Sequence, residues 1–276
     1  MKFSHQFIIL AICLLTACQA NNSQKTASEE SAKKDFSDSK AIRFATFNTA
    51  LERAESGQLI AELEAGKSEQ AKKIAEIIQR VMPDIIAIQE FDFDKEGRAL
   101  DLFRKNYLEV SQNGALPIKY PFGVAIPSNT GIPAQLDLDG DGKTNTPNDA
   151  FGFGQHEGHY AFAILSKYPL DQGAIRTFKN FLWKDMPNAN LPYFPETQKP
   201  YYTEQVLDIF RLSSKNHVDV TARIDGKNLH LLVAHPTPPV FDGMEDRNGK
   251  RNYDEIRLFA DYISQAEKSA YLYDDN

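Results

Sequence analysis

Three polar residues stand at the C-terminal ends of apolar, strand-like runs. Asn48 closes RFATFN, Glu90 closes DIIAIQE, and His235 closes LHLLVAH ahead of PTPP. Strand ends and the loops they feed are where sheet proteins commonly build sites. An amide oxygen and a carboxylate are hard donors that suit Mg²⁺, which keeps waters and a substrate phosphate in its remaining positions. An imidazole titrates near neutrality, so beside such an ion it can donate a hydrogen bond or move a proton. Each residue also has an ordinary reading: a cap or solvated turn for Glu90, a satisfied half-buried ring for His235. Pro236 biases His235 toward extended backbone, and Pro238 and Pro239 limit how far the loop can drift.

Other clusters could carry different chemistry. Asp137, Asp139 and Asp141 in DLDGDG match the opening of a Ca²⁺ loop, with Asn145 at the ninth position. Asn148 stands where a bidentate Glu belongs, with Asp149 beside it, and a solvated acidic turn is the competing reading. His156 and His159 have a spacing that could share a metal, but the sequence offers no third ligand and a loop role is expected. Lys215 and His217 in SSKNHVDV could approach a phosphate, although an exposed turn is the expectation. Arg251 lies in EDRNGKRNYDEIR, which reads as a solvated helix entry from which the guanidinium could face a phosphate pocket.

These residues need a frame. A β-prone run opens at Ala41 to Phe47, and a helix comes next from Glu69, with Ile74, Ile77, Ile78 and Val81 on one stripe and Pro83 ending it. A buried strand is expected at Asp84 to Ile88, a helix near Glu96 to Lys105 and a strand near Tyr107 to Ser111. Residues 113 to 157 read as one long Gly-, Pro-, Asn- and Asp-rich excursion. Strands are expected at His159 to Ser166, Gly173 to Phe178, Gln205 to Leu212, His217 to Ile224 and Asn228 to Ala234, with a Pro- and aromatic-rich loop at Lys179 to Tyr202. DGK joins the last two strands as a hairpin. The closing helix, Arg251 to Ala270, carries Ile256, Phe259, Ala260 and Ile263 as its apolar stripe. No internal repeat is present, and the element order suggests layered sheets with helices outside.

The chain has 276 residues, 42% of them hydrophobic, enough for one sizeable core. Lys2 precedes FIILAICLL, a run of signal-peptide length and too short to span a bilayer as a helix. The LTAC tetrapeptide ending at Cys18 resembles a bacterial lipobox, which implies cleavage before Cys18 and lipidation of its sulfur. An ordinary secretory signal or plain membrane anchor is the alternative. Residues 19–40 are polar and read as a flexible tether. With Cys13 lost and Cys18 lipidated, no thiol remains for cysteine catalysis or a Cys-ligated zinc site. The net charge of −7 argues against broad nonspecific nucleic-acid binding.

TFN, IIAIQE, AILSKYPL and LHLLVAHPTPP occur in the order and spacing of the endonuclease/exonuclease/phosphatase superfamily, which the chain resembles from about Ile42 onward. PNDAFGFG and HPTPPVFDG look like its bacterial secreted branch. The resemblance implies a DNase I-like four-layer α/β sandwich with two central mixed sheets and outer helices. It also implies Mg²⁺- or Mn²⁺-dependent cleavage of phosphate esters, with Asn48 and Glu90 at the metal and His235 as the first catalytic histidine. The family's GDFN-type strand and late Asp-His pair have no counterpart in the sequence, whose closing Asp274, Asp275 and Asn276 come after no strand-like run. The expectation is therefore a signal peptide (1–17), a lipidated Cys18 with its tether (18–40), and a domain over 41–276 that is truncated in its C-terminal half and impaired in hydrolysis. A monomer held in the cell envelope by its lipid is expected, on the outer membrane or another extracytoplasmic face. The substrate would be a phosphate ester from nucleic acid, a phospholipid headgroup or a small molecule. The competing class is a noncatalytic, membrane-tethered binding lipoprotein; a Ca²⁺-binding surface module is a third and weaker idea.

Overall fold

The computed structural model describes residues 41–275, so the leader, Cys18 and the tether lie outside the described residues. Two sheets organise these residues. The first has the order β1 (Phe44–Leu51), β2 (Ile85–Phe91), β4 (Phe162–Ser166), β3 (Phe122–Ile126). β1 and β2 run parallel and the remaining pairs antiparallel. The second has the order β5 (Arg176–Thr177), β6 (His217–Ile224), β7 (Lys227–Ala234). Its described strands pair antiparallel throughout, so only the first sheet is mixed as expected.

β2 lies between β1 and β4, and IIAIQEF accordingly reads as a near-continuous apolar run with six of its seven residues buried. One face of this sheet packs Ile86, Ile88, Ala163 and Leu165 against three helices, α1 (Gln58–Glu64), α2 (Glu69–Val81) and α3 (Arg98–Phe103). Ser68 caps α2 by accepting from Ala71 N, Glu69 and Arg80 sit at the ends that favour their charges, and Met82 closes the helix in a left-handed turn. α2 buries Ile74 and Ile78, while Ile77 and Val81 remain exposed.

β6 and β7 are joined by Asp225 and Gly226, both at positive φ (49° and 76°), the pattern of a two-residue type I′ turn. Outside this second sheet lies α5 (Arg247–Tyr262). A second core gathers Phe178, Phe181, Trp183, Met186, Leu212 and Leu258. The loop of residues 179–202 supplies much of it, and Trp183 donates from Nε1 to the buried Asp254 at 2.7 Å. A groove of about 580 Å³ separates the sheets, lined by Thr46, Ala87, Gln89 and Ile164 on one side and β7 on the other. Helices, sheet, sheet and helix thus form the four layers expected.

Several elements differ from the expectations drawn from sequence. Residues 104–108 continue α3 as a π-helical turn, and the strand expected at Tyr107 to Ser111 does not form; Tyr107 is buried and stacks on Phe103. The run at Gln205 begins instead as the short helix α4 (Glu204–Leu207), because Thr203 accepts from Val206 N as its cap. β3 and its pairing to β4 interrupt the long excursion. The closing helix starts at Arg247 and ends at Tyr262, with α6 (Ala266–Ser269) beyond it. Its apolar stripe is split: Ile256 and Ile263 are 58% and 71% exposed while Phe259 packs against the second core, and Arg251, Asp254, Glu255 and Leu258 are buried. Hydrogen bonding decides this orientation, since each of the three buried charged side chains meets partners from distant loops. No helix among the described residues is long and apolar enough to cross a membrane.

Candidate active site

Alternation along β2 places Ile86 and Ile88 on the helix face, and the same alternation predicts Glu90 in line behind them. The structure breaks that parity. Phe91, not Glu90, joins Ile86 and Ile88 in the core, because Glu90 adopts φ +53°. The register between β1 and β2 shifts at the same place, between Asn48 and Leu51, where Ala50 is also left-handed at φ +47°. A non-glycine residue in this region carries strain of about 1–3 kcal/mol, tolerated where the surrounding structure over-determines it. The consequence is that Glu90 leaves the helix side and reaches the end of β7, where its Oε1 lies 3.9 Å from His235 Nε2. No N–H or O–H of the described residues hydrogen-bonds to its carboxylate. Asn48 pairs in register with Gln89 on the neighbouring strand, is exposed, and accepts from Ala50 N through Oδ1 at 3.1 Å.

His235 is held through the residues on its C-terminal side. Glu255 on α5 is fully buried; its Oε1 accepts from Ser214 N and Oγ at 2.7 and 3.0 Å, and its Oε2 accepts from Thr237 N at 2.5 Å. One carboxylate therefore clamps the residue before Lys215 and the residue two beyond His235. Asn252 adds a bond from Nδ2 to the Thr237 carbonyl at 2.7 Å. Burial pushes His235 down to about 4; the Lys215 charge adds to this and Glu255 opposes it, so the ring is neutral at pH 7. Its Nδ1 is buried with no partner among the described residues.

Lys215 and His217 are not in an exposed turn: they are 8% and 1% exposed. His217 is fixed between Ser213 Oγ (2.6 Å from Nδ1) and the Glu255 carbonyl (2.8 Å from Nε2), a satisfied structural ring. Burial lowers the Lys215 ammonium, and the charges of Glu255 and Glu90 oppose the shift. Arg251 does not face a phosphate pocket; its guanidinium donates to the carbonyls of Leu212, Phe151 and Arg211 and stacks over Phe210. Glu255 escapes sequence reasoning because its partners lie 18 and 41 residues away.

The remaining ligand candidates are elsewhere. One oxygen each from Asp137, Asp139 and Asp149 comes within 4.8 Å of the others, while Asp141 turns away to Lys143 at 3.0 Å. Asp149 thus takes the place expected for Asp141, although it is already bonded by Leu138 N, Thr146 N and Thr146 Oγ1. His156 and His159 do acquire a third neighbour, Asp92, with one ligand atom of each within 4.8 Å. Both rings are engaged by backbone: His156 Nε2 lies 2.9 Å from the Arg53 carbonyl, and His159 Nδ1 accepts from Gln155 N at 3.1 Å. Burial raises Asp92 to about 6, against hydrogen bonds from Arg53 N and Tyr160 N, and lowers His159 to about 4.

Residues 45–263 match the endonuclease/exonuclease/phosphatase family, and the chain belongs to it. Among solved structures it is similar to an endonuclease/exonuclease/phosphatase family protein from Leptotrichia buccalis C-1013-b, at 16% identity and TM-score 0.37, covering 82% of this chain and 62% of that one. It is also similar to an endonuclease/exonuclease/phosphatase from Beutenbergia cavernae DSM 12333 (15%, TM-score 0.39, 81% and 44%). A third is sphingomyelinase C from Streptomyces griseocarneus (16%, TM-score 0.37, 81% and 60%). The chain therefore spans less than two thirds of the length of each. No curated protein matches it.

Proposed function

We propose that the chain carries a divalent-metal phosphoesterase site in which Glu90 and Asn48 hold Mg²⁺ or Mn²⁺ and His235 serves the phosphoryl group. The observation that carries this reading is the approach of Glu90 from the first sheet to His235 from the second, 3.9 Å apart, with the carboxylate left without a donor. The donor set fits a hard cation: Glu90 offers both oxygens, and Asn48 Oδ1 keeps a lone pair beyond its bond to Ala50 N. When bound, such an ion neutralises nonbridging phosphate oxygens and activates a water. His235, neutral and clamped through Thr237, presents Nε2 to donate to a phosphoryl oxygen or to exchange a proton with the attacking or leaving oxygen.

The reading includes slow turnover by this chain alone. It supplies the ligands and the histidine but not the GDFN-type stretch to which the family resemblance assigns the attacking water. The test is Mg²⁺- and Mn²⁺-dependent hydrolysis of p-nitrophenyl phosphate and its bis ester, where Glu90→Gln and His235→Ala each lower turnover about 100-fold or more. Turnover unchanged in Glu90→Gln sinks the reading; metal-dependent ligand binding with no hydrolysis would favour the noncatalytic lipoprotein.

Attachment to the cell envelope through Cys18 belongs to the same proposal and rests on LTAC after the leader. Cys18→Ser should move the protein from the membrane to the soluble fraction. For the acidic loop, a Ca²⁺ position at Asp137, Asp139 and Asp149 predicts heat in a Ca²⁺ titration, and its absence would leave a solvated turn.

A further inference from the structure

Both ring nitrogens of His156 face carbonyl oxygens: Nδ1 lies 3.2 Å from that of Glu157 and Nε2 lies 2.9 Å from that of Arg53. A neutral imidazole carries one N–H and satisfies only one of them. Nε2 also stands 3.9 Å from Asp92 Oδ2. Three oxygen-facing contacts thus converge on one ring, and they call for a positive charge there, either a second proton or a metal ion. The ring of His159 stacks on His156 with centroids 4.9 Å apart, and burial lowers it to about 4, so a neutral imidazole stands beside the first at pH 7. A second proton answers for His156 alone, whereas an ion also gives the neighbouring imidazole and Asp92 a common partner.

The distances fit such an ion. Ligand atoms at about 2.0–2.2 Å from one transition metal lie at most about 4.2 Å apart. The separations of His156 Nε2 from Asp92 Oδ2 and from the Arg53 carbonyl both fall inside that span. One ligand atom each from Asp92, His156 and His159 comes within 4.8 Å of the others, so His159 has less than about 1 Å to close. Its Nδ1 accepts from Gln155 N at 3.1 Å, and it joins an ion by exchanging that one bond. With the proton of His156 on Nδ1, donated to the Glu157 carbonyl, Nε2 is free to ligate, which is the usual support of a metal-bound histidine. The loop that carries the rings is fixed. Gly158 N donates to the Thr130 carbonyl at 3.1 Å and Phe93 N to the Gly158 carbonyl at 3.0 Å. Gly131 passes so close that a Cβ there would sit 1.8 Å from the His156 carbonyl oxygen. A cavity of about 620 Å³, lined in part by Asp92, His156 and Glu157, supplies an entry path and room for a water on the ion.

We propose that Asp92, His156 and His159, with the Arg53 carbonyl beside them, bind a zinc-class transition-metal ion at a site separate from Glu90 and Asn48. Two imidazoles and a carboxylate select such an ion over Mg²⁺ or Ca²⁺, which take oxygen donors. Its role is structural. Arg53 comes two residues after β1, Asp92 directly follows β2, and the two histidines precede β4. The ion therefore fastens the ends of β1 and β2 to the approach to β4, two residues beyond the left-handed Glu90.

The test uses Co²⁺ as a spectroscopic probe, titrated into the full chain with excess Mg²⁺ present to fill oxygen-only sites. The visible absorption of a four- or five-coordinate cobalt centre is expected to saturate at one equivalent and to be bleached by Zn²⁺. His156→Ala and Asp92→Asn should each weaken Co²⁺ binding by about 100-fold or more, beyond the roughly 10–100-fold of a change in an outer partner. Glu90→Gln should leave the absorption in place. Should the ligand variants fail to fold, the wild-type protein decides alone: X-ray absorption at the zinc edge of its one-to-one complex is expected to show scattering from two imidazoles, and an oxygen-only shell overturns the proposal. Absorption that survives in both His156→Ala and Asp92→Asn, or that is lost in Glu90→Gln, overturns it as well. No Co²⁺ absorption and no Zn²⁺ binding in the wild type also overturns it and leaves a doubly protonated His156 facing Asp92. Each of these outcomes leaves the reading of the Glu90–His235 site to its own hydrolysis assay.

Discussion

β2 and β7 each present a residue of the candidate site at or just beyond the C-terminal end, yet they are held in different ways. β2 is enclosed by β1 and β4 and buries six of its seven residues, so packing alone can keep Glu90 at φ +53°. β7 pairs only with β6 among the described strands, and its first four residues are exposed. Packing cannot aim His235 from such a strand. Pro236, the Thr237 bond to Glu255 and the Asn252 bond to the Thr237 carbonyl do so from the far side of the residue. One half of the site is fixed by apolar enclosure before the residue, the other by a polar clamp after it.

The sharpest way to break the comparison is to cut the clamp. Glu255→Gln turns a charged acceptor of three buried hydrogen bonds into an amide that leaves one donor unpaired, and should cost about 3–5 kcal/mol in denaturant unfolding, since each bond to a buried charge is worth about 1.5–3 kcal/mol. Hydrogen exchange at Thr237 N–H should accelerate in the same variant. Next comes the enclosure itself. Ile88→Ala, at a position with no exposure, should cost about 2–5 kcal/mol. Leu229→Ala on the open edge of β7 should cost about 0.5 kcal/mol. Equal costs at the two positions would show that β7 is enclosed after all.

A pH series sharpens the polar half. His235 is held below its ordinary 6.5, so below that pH the unfolded chain takes up a proton that the folded one refuses. Metal-free protein should lose stability as pH falls from about 6.5 to about 4. The share assigned to this ring, on the order of 2 kcal/mol, should vanish in His235→Gln. His159 and His217 contribute loss of the same sign and persist in that variant. One expected effect is a gain: Glu90→Gly relieves the left-handed strain and should stabilise the fold by about 1 kcal/mol while abolishing Mg²⁺ binding.

Much of the first sheet was legible in the sequence because its strands are short apolar runs bounded by breakers, and the β6–β7 hairpin because Asp225 and Gly226 suit a turn with two positive φ values. The sequence suggested strand ends for Asn48, Glu90 and His235; Asn48 instead lies within β1, Glu90 is the penultimate residue of β2, and His235 directly follows β7. What could not be read is how they are aimed. Alternation assigns Glu90 to the core face, and nothing local signals that a register shift with β1 moves Phe91 there instead. The orientation of α5 was hidden for a related reason. Its periodic apolar residues, Ile256 and Ile263, face outward because Asp254, Glu255 and Arg251 find partners that only the folded chain assembles. The strand expected at Tyr107 failed because aromatic, β-prone residues also suit a helix end that buries them against Phe103.

The parity break at Glu90 bears on any attempt to redesign this scaffold. A procedure that rewards ideal strand geometry would see an irregularity in β2 and straighten it. With a regular β2, the carboxylate would be carried into the apolar layer beneath α1–α3 and Phe91 would be expelled toward the groove. Regularising this one residue would therefore erase half of the site without altering a single letter of the sequence around it.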